Sequence, residues 1–317
     1  ARGRPPLASN MMSSTHGQRD VILAVDLGGA TFAAGLMTFR GALLDRSRVE
    51  VEPDVGPQSH FAALATVVDE QLEQARVQHD VRVRAIGIGC AGPIERNCEL
   101  VSPPNVSSWR SFPLRQHLVD LTGLAVYGDL DAKAVALSEG WLGAGRNVSS
   151  FCAMTVSSGV GGGFVIDGEL LDGATGNAGH VGHIIVEPGG RRCGCGARGC
   201  LEAEASGLAI EAITGRSPTE PTYDIMRRTG RLVGRAAGTI CTAMDLDLVV
   251  VGGDVALGFA ATFFNAAQEE IDAVARVGQG AAARITPVRL GDQGALIGAG
   301  AVGLRGLRRA GRPSPAS

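Results

Sequence analysis

The residues best suited to metal chemistry are concentrated in one segment, 176–202. Two histidines and three cysteines lie there: His180, His183, Cys193, Cys195 and Cys200. Zn²⁺ takes four tetrahedral ligands from cysteine and histidine, and a closed set of three cysteines and one histidine is a structural site. Glycines between the cysteines allow the tight turns that aim three sulfurs at one point. The segment therefore predicts a structural zinc site, and the second histidine and Glu202 indicate a polar binding site beside it.

A metal-free turn and a disulfide knot both account less well for these cysteines. A reduced turn without a ligand gives no reason for such a dense group of thiols beside an imidazole. A disulfide knot is disfavoured because the cysteines are clustered and odd in number. The four remaining cysteines are scattered along the chain, as expected for a reducing cytosol.

Length and composition exclude several classes of protein. A chain of 317 residues is too long for one small core, which favours two lobes. Only 19% of the residues are charged and the net charge is −3, so there is no electrostatic case for nucleic acid binding. No stretch approaches the roughly 18 apolar residues of a membrane helix. The first twenty residues are basic and rich in Pro and Ser, which predicts a disordered tail rather than a signal peptide. We therefore expect a cytoplasmic protein.

The elements that must position the chemistry follow an α/β pattern, because apolar strands alternate with helical periodicities. The order of strand, glycine turn and hairpin with a glycine corner occurs at 21–49 and again at 151–171. A repeat of this kind predicts two similar lobes that face each other. We assign 1–20 to the tail, 21–126 plus about 295–310 to a small N-terminal lobe, and 127–294 to a large lobe with the zinc motif. Helices are predicted at 58–78, 114–121, 132–140, 223–244, 259–277 and 294–307.

Three glycine-rich turns follow buried strands, at 26–31, 157–163 and 252–254. Glycine in such a turn lets backbone N–H groups approach phosphate oxygens closely. A simple tight turn accounts for any one of them, but three turns in a duplicated chain predict a nucleotide held between the lobes, with Asp26 near its Mg²⁺. The predicted nucleotide contacts are Asp26, Gly28, Gly29, Thr31, Ser158, Gly159, Gly161 and Gly253.

Four segments resemble the motifs of the ROK family, which groups repressors, open reading frames and sugar kinases. They are Asp26-Leu27-Gly28-Gly29, the glycine run 158–163, Gly179-His180-Val181-Gly182-His183, and the segment 193–202 with its cysteine array. The resemblance extends from about 21 to 307. It implies an actin-like, ribonuclease H-like two-lobe fold of the hexokinase type, ATP with Mg²⁺, and transfer of phosphate to a hexose hydroxyl. It also implies a homodimer or homotetramer, and zinc ligation by His183, Cys193, Cys195 and Cys200.

The resemblance places the catalytic aspartate at Asp131, counting back from Glu139 along Ala136-Leu137-Ser138-Glu139. An aspartate at a helix start after a strand is suited to accept the proton of the attacking hydroxyl. A helix N-cap is the ordinary role of such a residue and is compatible with catalysis, and Asp129 is the reserve candidate. The sugar contacts expected are Gly92, Asn105, Asp131, His180, His183 and Glu202.

Four places depart from the family pattern. In the first phosphate turn, Ala30-Thr31 replaces the usual Thr and polar residue. Leu130 replaces an Asn and cannot hydrogen-bond a sugar hydroxyl. Lys133 replaces a second Asn and is expected to pair with Asp131 or Asp129, which would lower the basicity of its partner. His180 stands where most family kinases carry a sugar-binding Glu, although packing beside the zinc loop would account for it equally well. Lost hydrogen-bond partners alter discrimination between substrates by orders of magnitude.

The sequence thus favours an ATP-dependent hexose kinase most like a glucokinase, acting on the 6-hydroxyl of glucose. A ROK-type transcriptional regulator is the alternative from another class, although only about twenty residues precede the first strand and a helix-turn-helix needs more. A sugar sensor with an impaired kinase site is the third interpretation, supported by Leu130 and Lys133. The sequence does not decide between ATP and polyphosphate as the phosphate donor.

Overall fold

The computed structural model describes residues 18–28, 31–52, 54–104 and 106–311. The chain divides into two compact units. The first unit contains the described residues up to Ser138, the segment Asp172–Asn177 and the residues from Gly291 onward, and the second contains Glu139–Leu171 and Ala178–Leu290. Relative to the predicted lobes, the division adds 127–138 and 172–177 to the first unit and ends the second at residue 290.

The first unit is built on a five-stranded mixed sheet. Its strands are β1 (Arg19–Leu27), β2 (Thr31–Thr38), β3 (Leu43–Glu50), β4 (Val81–Cys90) and β5 (Val126–Leu130), in the order β3-β2-β1-β4-β5. β1, β2 and β3 form an antiparallel meander, and β4 and β5 add in parallel to β1. The helices that begin in this unit are α1 (Pro57–Val77), α2 (Leu114–Thr122), α3 (Asp131–Leu142) and, at the C-terminal end of the chain, α8 (Gly294–Ala310).

The second unit repeats this topology. Its strands are β6 (Phe151–Val156), β7 (Val160–Ile166), β8 (Glu169–Leu170), β9 (Leu248–Gly252) and β10 (Arg284–Pro287), in the order β10-β9-β6-β7-β8. Its helices are α4 (Leu201–Ala205), α5 (Gly207–Thr214), α6 (Tyr223–Met244) and α7 (Asp254–Val274). β6, β7 and β8 are antiparallel, and β9 and β10 are parallel to β6. The α/β class and the internal repeat predicted from the sequence are therefore confirmed.

Each unit has its own apolar core. In the first unit, strand residues such as Leu23 and Ile86 pack with Leu64 of α1 and with Trp109 in the connection before α2. In the second unit, residues of β6 and β9 pack against Val233 of α6 and Phe263 of α7. Burying apolar side chains on both faces of a sheet stabilises the strands whose ends carry the candidate site.

Two predicted elements differ from the structure. The glycine turn expected at 157–163 is shorter, because β7 already begins at Val160 and its glycines pair with β6. A Cβ on Gly162 would lie 2.8 Å from the side chain of Val181, so glycine serves close packing there rather than a turn. Helix α7 begins at Asp254, five residues before the predicted start, because it follows β9 directly through Gly253.

None of the helices in the described ranges is long and apolar enough to cross a membrane.

Candidate active site and metal centre

Carboxylates of the first unit meet at the carboxyl edge of its sheet. β1, β4 and β5 run parallel, so their C-terminal ends lie side by side, with Asp26 opposite Gly89 and Gly89 opposite Asp129. A Cβ on Gly89 would lie 3.5 Å from Oδ1 of Asp26 and 3.7 Å from Cα of Asp131. The glycine therefore leaves the space in which Asp26 and Asp131 approach each other.

Both of these carboxyl groups hold their protons more tightly than usual. Burial raises the pKa of Asp26 to about 7, with a further contribution from the neighbouring charge of Asp131. Burial also raises the pKa of Asp131, against the effect of the Ala132 N–H, which donates to Oδ1 at 2.6 Å. Two carboxylates brought together in this way favour a cation between them or a proton on one of them.

Asp129 belongs to a different, fully paired group. Its Oδ1 lies 2.7 Å from Nζ of Lys133, and its Oδ2 lies 3.6 Å from a guanidinium nitrogen of Arg305. Lys133 is 1% exposed and also donates to the carbonyl oxygen of Gly176 at 2.8 Å. Asp172 accepts from Arg305 at 2.7 Å and from Arg309 at 2.9 Å. The expected lysine pair is therefore with Asp129, and burial still raises the pKa of Asp129 despite the opposing charge of Lys133.

The sequence analysis missed most of this ion network. It identified Lys133, which is the only lysine of the chain, and it named Asp129. It did not find Asp172, Arg305 or Arg309, because their contacts with the pair join segments more than a hundred residues apart or lie in a loop.

Three further predicted residues of the first unit lie at the same edge: Gly28, Thr31 and Gly92. A Cβ on Gly28 would lie 3.1 Å from the carbonyl oxygen of Thr31 and 3.9 Å from Oδ2 of Asp26, so Gly28 packs against Thr31 beside the Asp26 carboxylate. Gly92 follows β4 in a bend. Gly29 and Asn105 lie outside the described residues.

Two glycine turns of the second unit also meet at one edge. The turn 157–159 follows β6 and Gly253 follows β9, and these strands are parallel neighbours. Gly253 has φ +94°, and a Cβ there would lie 2.3 Å from the carbonyl oxygen of Val156. Ser157 Oγ donates to Asp254 Oδ2 at 3.4 Å. Ser158 is exposed, and Gly159 and Gly161 are partly exposed.

The four predicted zinc ligands come together. The ligand atoms of His183, Cys193, Cys195 and Cys200 all lie within 4.8 Å of one another. Nδ1 of His183 is 3.6 Å from Sγ of Cys193, and Sγ of Cys195 is 3.7 Å from Sγ of Cys200. A tetrahedron with Zn–S arms of about 2.3 Å and a Zn–N arm of about 2.0 Å has edges of roughly 3.5–3.8 Å. The donor set and its spacing therefore fit one tetrahedral zinc ion.

Buried polar contacts that the sequence analysis missed hold the backbone of this loop. Glu204 is 2% exposed; its carboxylate accepts from the backbone N–H of Arg191 at 2.6 Å and from the guanidinium of Arg228 at 2.6 Å. Arg235 donates to the carbonyl oxygen of Val186 at 2.9 Å. Two arginines of α6 thus support the zinc loop from the helix side.

The remaining candidates lie on either side of the cluster. His180 and His183 are exposed, with ring centroids 6.0 Å apart. Cys200 is the N-cap residue of α4, and Glu202 lies in the first turn of that helix. Glu202 accepts the N–H of Val160 at 3.1 Å through Oε2. The zinc loop and the glycine turn of the second unit are therefore joined through one carboxylate.

Comparison with known proteins identifies relatives over most of the chain. A model of the ROK family matches residues 22–305. A glucokinase of Thermotoga maritima is 37% identical over 190 residues, which are 60% of this chain and 58% of that protein. A glucokinase of Halalkalibacterium halodurans is 30% identical over 88% of this chain and 93% of that protein. An N-acetylmannosamine kinase of Escherichia fergusonii is 34% identical over 74% of this chain and 83% of that protein.

Solved structures share the fold. A ROK hexokinase from Thermus thermophilus is 30% identical, with a TM-score of 0.75, and the match covers 91% of this chain and 99% of that one. A ROK family glucokinase from Streptomyces griseus, in complex with glucose and AMPPNP, is 26% identical with a TM-score of 0.76, covering 90% and 99%. A ROK family transcriptional regulator, a homolog of the E. coli MLC protein, has a TM-score of 0.77 at 24% identity, covering 91% and 78%. This third likeness concerns the fold alone.

Proposed function

The chain belongs to the ROK family, and we propose that it is a kinase that transfers the terminal phosphoryl group of ATP to the 6-hydroxyl of a hexose. The observation that carries this proposal is the pair Asp26 and Asp131, set on either side of Gly89 at the carboxyl edge of the first sheet. Such a pair offers a cation site and a proton acceptor together, which phosphoryl transfer requires.

In this proposal Asp131 is the general base. Its carboxylate accepts backbone N–H groups, from Ala132 and from Asp131 itself, and forms no ion pair among the described residues, whereas Asp129 is engaged by Lys133 and Arg305. A base must be close to its substrate and must not be locked in an ion pair. Its raised pKa makes it a better proton acceptor than an ordinary aspartate. The reserve candidate, Asp129, has a structural role instead.

The cofactors follow from the donors present. The Asp26 carboxylate would hold Mg²⁺, which prefers oxygen ligands and neutralises charge on the transferring phosphates. His183, Cys193, Cys195 and Cys200 would hold a structural zinc ion. The nucleotide contacts are assigned to Gly28, Gly29, Thr31, Ser158, Gly159, Gly161 and Gly253. The sugar contacts are assigned to Gly92, Asn105, Asp131, His180, His183 and Glu202. We place this activity in the cytoplasm, in a homodimer or homotetramer.

Glucose is the proposed substrate and N-acetylmannosamine the competing one, since relatives of both names match this chain. The test is a phosphorylation assay on purified protein over a panel of hexoses, with ATP–Mg²⁺ and with polyphosphate as separate donors. We expect the highest kcat/KM for glucose with ATP and a 6-phosphate product. A higher value for N-acetylmannosamine reassigns the substrate. Sugar binding by calorimetry without transfer from either donor contradicts the kinase activity and identifies a sensor.

A further inference from the structure

Glu202 touches the turn to which the nucleotide is assigned. Its Oε2 accepts the N–H of Val160, the first residue of β7, at 3.1 Å. Val160 directly follows the turn 157–159, in which the N–H of Ser157 donates to the carbonyl oxygen of Gly159 at 2.9 Å. This hydrogen bond involves Oε2 of the carboxylate, and Oε1 makes no contact with the N–H of Val160.

The turn is packed against the helix that carries Glu202. A Cβ on Gly159 would lie 3.1 Å from Oε2 of Glu202, tighter than an ordinary contact. The carbonyl oxygen of Ser157 accepts the N–H of Gly207 at 2.7 Å, at the start of α5. The position of the turn therefore depends on the junction of α4 with α5 and on the carboxylate of Glu202.

We propose that Glu202 is a positioning residue for the nucleotide-binding turn, in addition to its assigned contact with the sugar. A carboxylate that accepts a backbone N–H fixes the peptide plane beside it, and such charge-assisted bonds are stronger than neutral ones. With Val160 held, the N–H groups of Ser158 and Gly159 keep one orientation towards incoming phosphate oxygens. This inference rests on the proposed function, because it assigns this turn to ATP.

The experiment measures the Kd of AMPPNP with Mg²⁺ by calorimetry in the absence of any sugar. Glu202→Ala removes the acceptor, and we expect affinity to fall about 5- to 10-fold, in the range expected for the loss of one typical intramolecular hydrogen bond. Glu202→Gln keeps an acceptor oxygen and should bind AMPPNP at least half as tightly as the unmodified protein. A residue that served only the sugar would leave both values unchanged.

Two further variants separate this role from general damage. Gly159→Ala keeps the carboxylate but places a methyl group against Oε2, so it should also weaken AMPPNP binding. Glu211→Ala removes an exposed carboxylate from α5 and should have no effect. Unchanged affinity in Glu202→Ala overturns the inference, as does a Glu202→Gln protein as weak as Glu202→Ala. If the unmodified protein binds no AMPPNP, the proposed function itself fails.

Discussion

The two sheets share one topology but place different chemistry at the same positions. Asp26 in β1 lies opposite Gly89, and Thr155 in β6 lies opposite Gly252 at the corresponding step of the register. Extending the register from the pair Val251 and Pro287 gives Val288 and Leu290 as the counterparts of Asp129 and Asp131. The first sheet therefore ends in three carboxylates, and the second carries none of them at its equivalent positions.

In the second unit, a buried glutamate binds the backbone at the corresponding edge of the sheet. The carboxylate of Glu139, 1% exposed, accepts the backbone N–H groups of Arg289, Leu290 and Ala144 at 2.7–3.1 Å. Arg289 and Leu290 follow β10 as Asp131 follows β5. A buried carboxylate whose oxygens are hydrogen-bonded in this way rigidifies its surroundings. The first unit thus has the approaching carboxylates Asp26 and Asp131 at this edge, and the second unit has a carboxylate bound to backbone N–H groups.

The connection between the third and fourth strands differs as well. In the first unit α1 alone joins β3 to β4, whereas in the second the zinc segment, α4, α5 and α6 join β8 to β9. The inserted segment carries Glu202, His183 and the cysteine cluster. The two units therefore differ in one long connection and in the residues at the strand ends, while their sheets have the same topology.

The largest effect is expected at Asp131, whose replacement tests the asymmetry directly. Asp131→Asn should lower kcat by about 10²–10⁴-fold, as for the loss of a general base, with the Kd of the sugar little changed. Asp129→Asn is the matched control. It removes the carboxylate that pairs with the buried Lys133, so the melting temperature should fall, while kcat should fall much less than in Asp131→Asn. Steady-state kinetics and thermal unfolding of both variants decide this. The opposite ranking would make Asp129 the base.

Zinc removal is expected to act on the second unit alone. Cys200→Ser should abolish stoichiometric zinc and lower the stability by roughly 4 kcal/mol, part of the 10–16 kcal/mol seen where zinc drives folding outright. The loss stays partial because Glu204, Arg228 and Arg235 still hold the loop. Metal analysis and thermal unfolding provide the measurement, with the buried Cys241→Ala, outside the cluster, as control. Full zinc content in Cys200→Ser would contradict the ligand set.

The sequence was sufficient to predict features carried by local spacing. The cysteine array, the repeat of strand, turn and hairpin, and the end of α6 at Met244 all follow from residues close together in the chain. The shorter turn before β7 could not be predicted, because Gly162 is required by the close approach of Val181, which is visible only in three dimensions.

The ion pairs were predicted less well than the metal ligands, because most of them too depend on contacts between distant parts of the chain. The four metal ligands lie within eighteen residues of sequence, so their residue types and spacing are sufficient to predict the site. The pairing of Asp129 with Arg305 depends on α8 returning to the first sheet from the far end of the chain, whereas Lys133 and Asp129 are only four residues apart. The only indication in the sequence was the single lysine, Lys133, and its position was compatible with a pair to either Asp129 or Asp131.

A third prediction concerns that ion network, which has no counterpart in the second unit at the same register. Lys133→Met should cost about 3 kcal/mol of unfolding free energy, the lower end expected for breaking a buried pair, because Arg305 remains near Asp129. Combining it with Asp129→Asn should restore part of the loss, since no buried charge is then unpaired. Denaturant unfolding measures both. Arg227→Met, which breaks an exposed pair with Glu269, should cost less than about 1 kcal/mol. If Lys133→Met and Arg227→Met lowered the unfolding free energy equally, the burial of the Lys133 pair would make no difference to its contribution.

The smallest effect is expected at Asp26, where the first sheet has a carboxyl group and the second has Thr155. The folded pKa is about 7, against 3.8 for an ordinary aspartate side chain. The folded state therefore binds this proton more tightly, so the stabilisation is complete below about pH 4 and is lost as the pH rises through 7. Asp26→Asn cannot ionise, and without added Mg²⁺ its melting temperature should exceed that of the unmodified protein progressively between pH 5 and 8.

The size of that gain should be modest, roughly 1–2 kcal/mol at pH 8, because Asp26 retains partial exposure and solvent screens its charge. Asp167→Asn, in the exposed turn between β7 and β8, provides a matched control with a constant difference across the same range. Added Mg²⁺ should stabilise the unmodified protein at pH 8 and leave Asp26→Asn unaffected, because the cation and the proton compete for one carboxylate. If the difference in melting temperature between Asp26→Asn and the unmodified protein did not change with pH, Asp26 would already be ionised at pH 5. The carboxyl group of Asp26 would then not be protonated beside Asp131 near neutral pH.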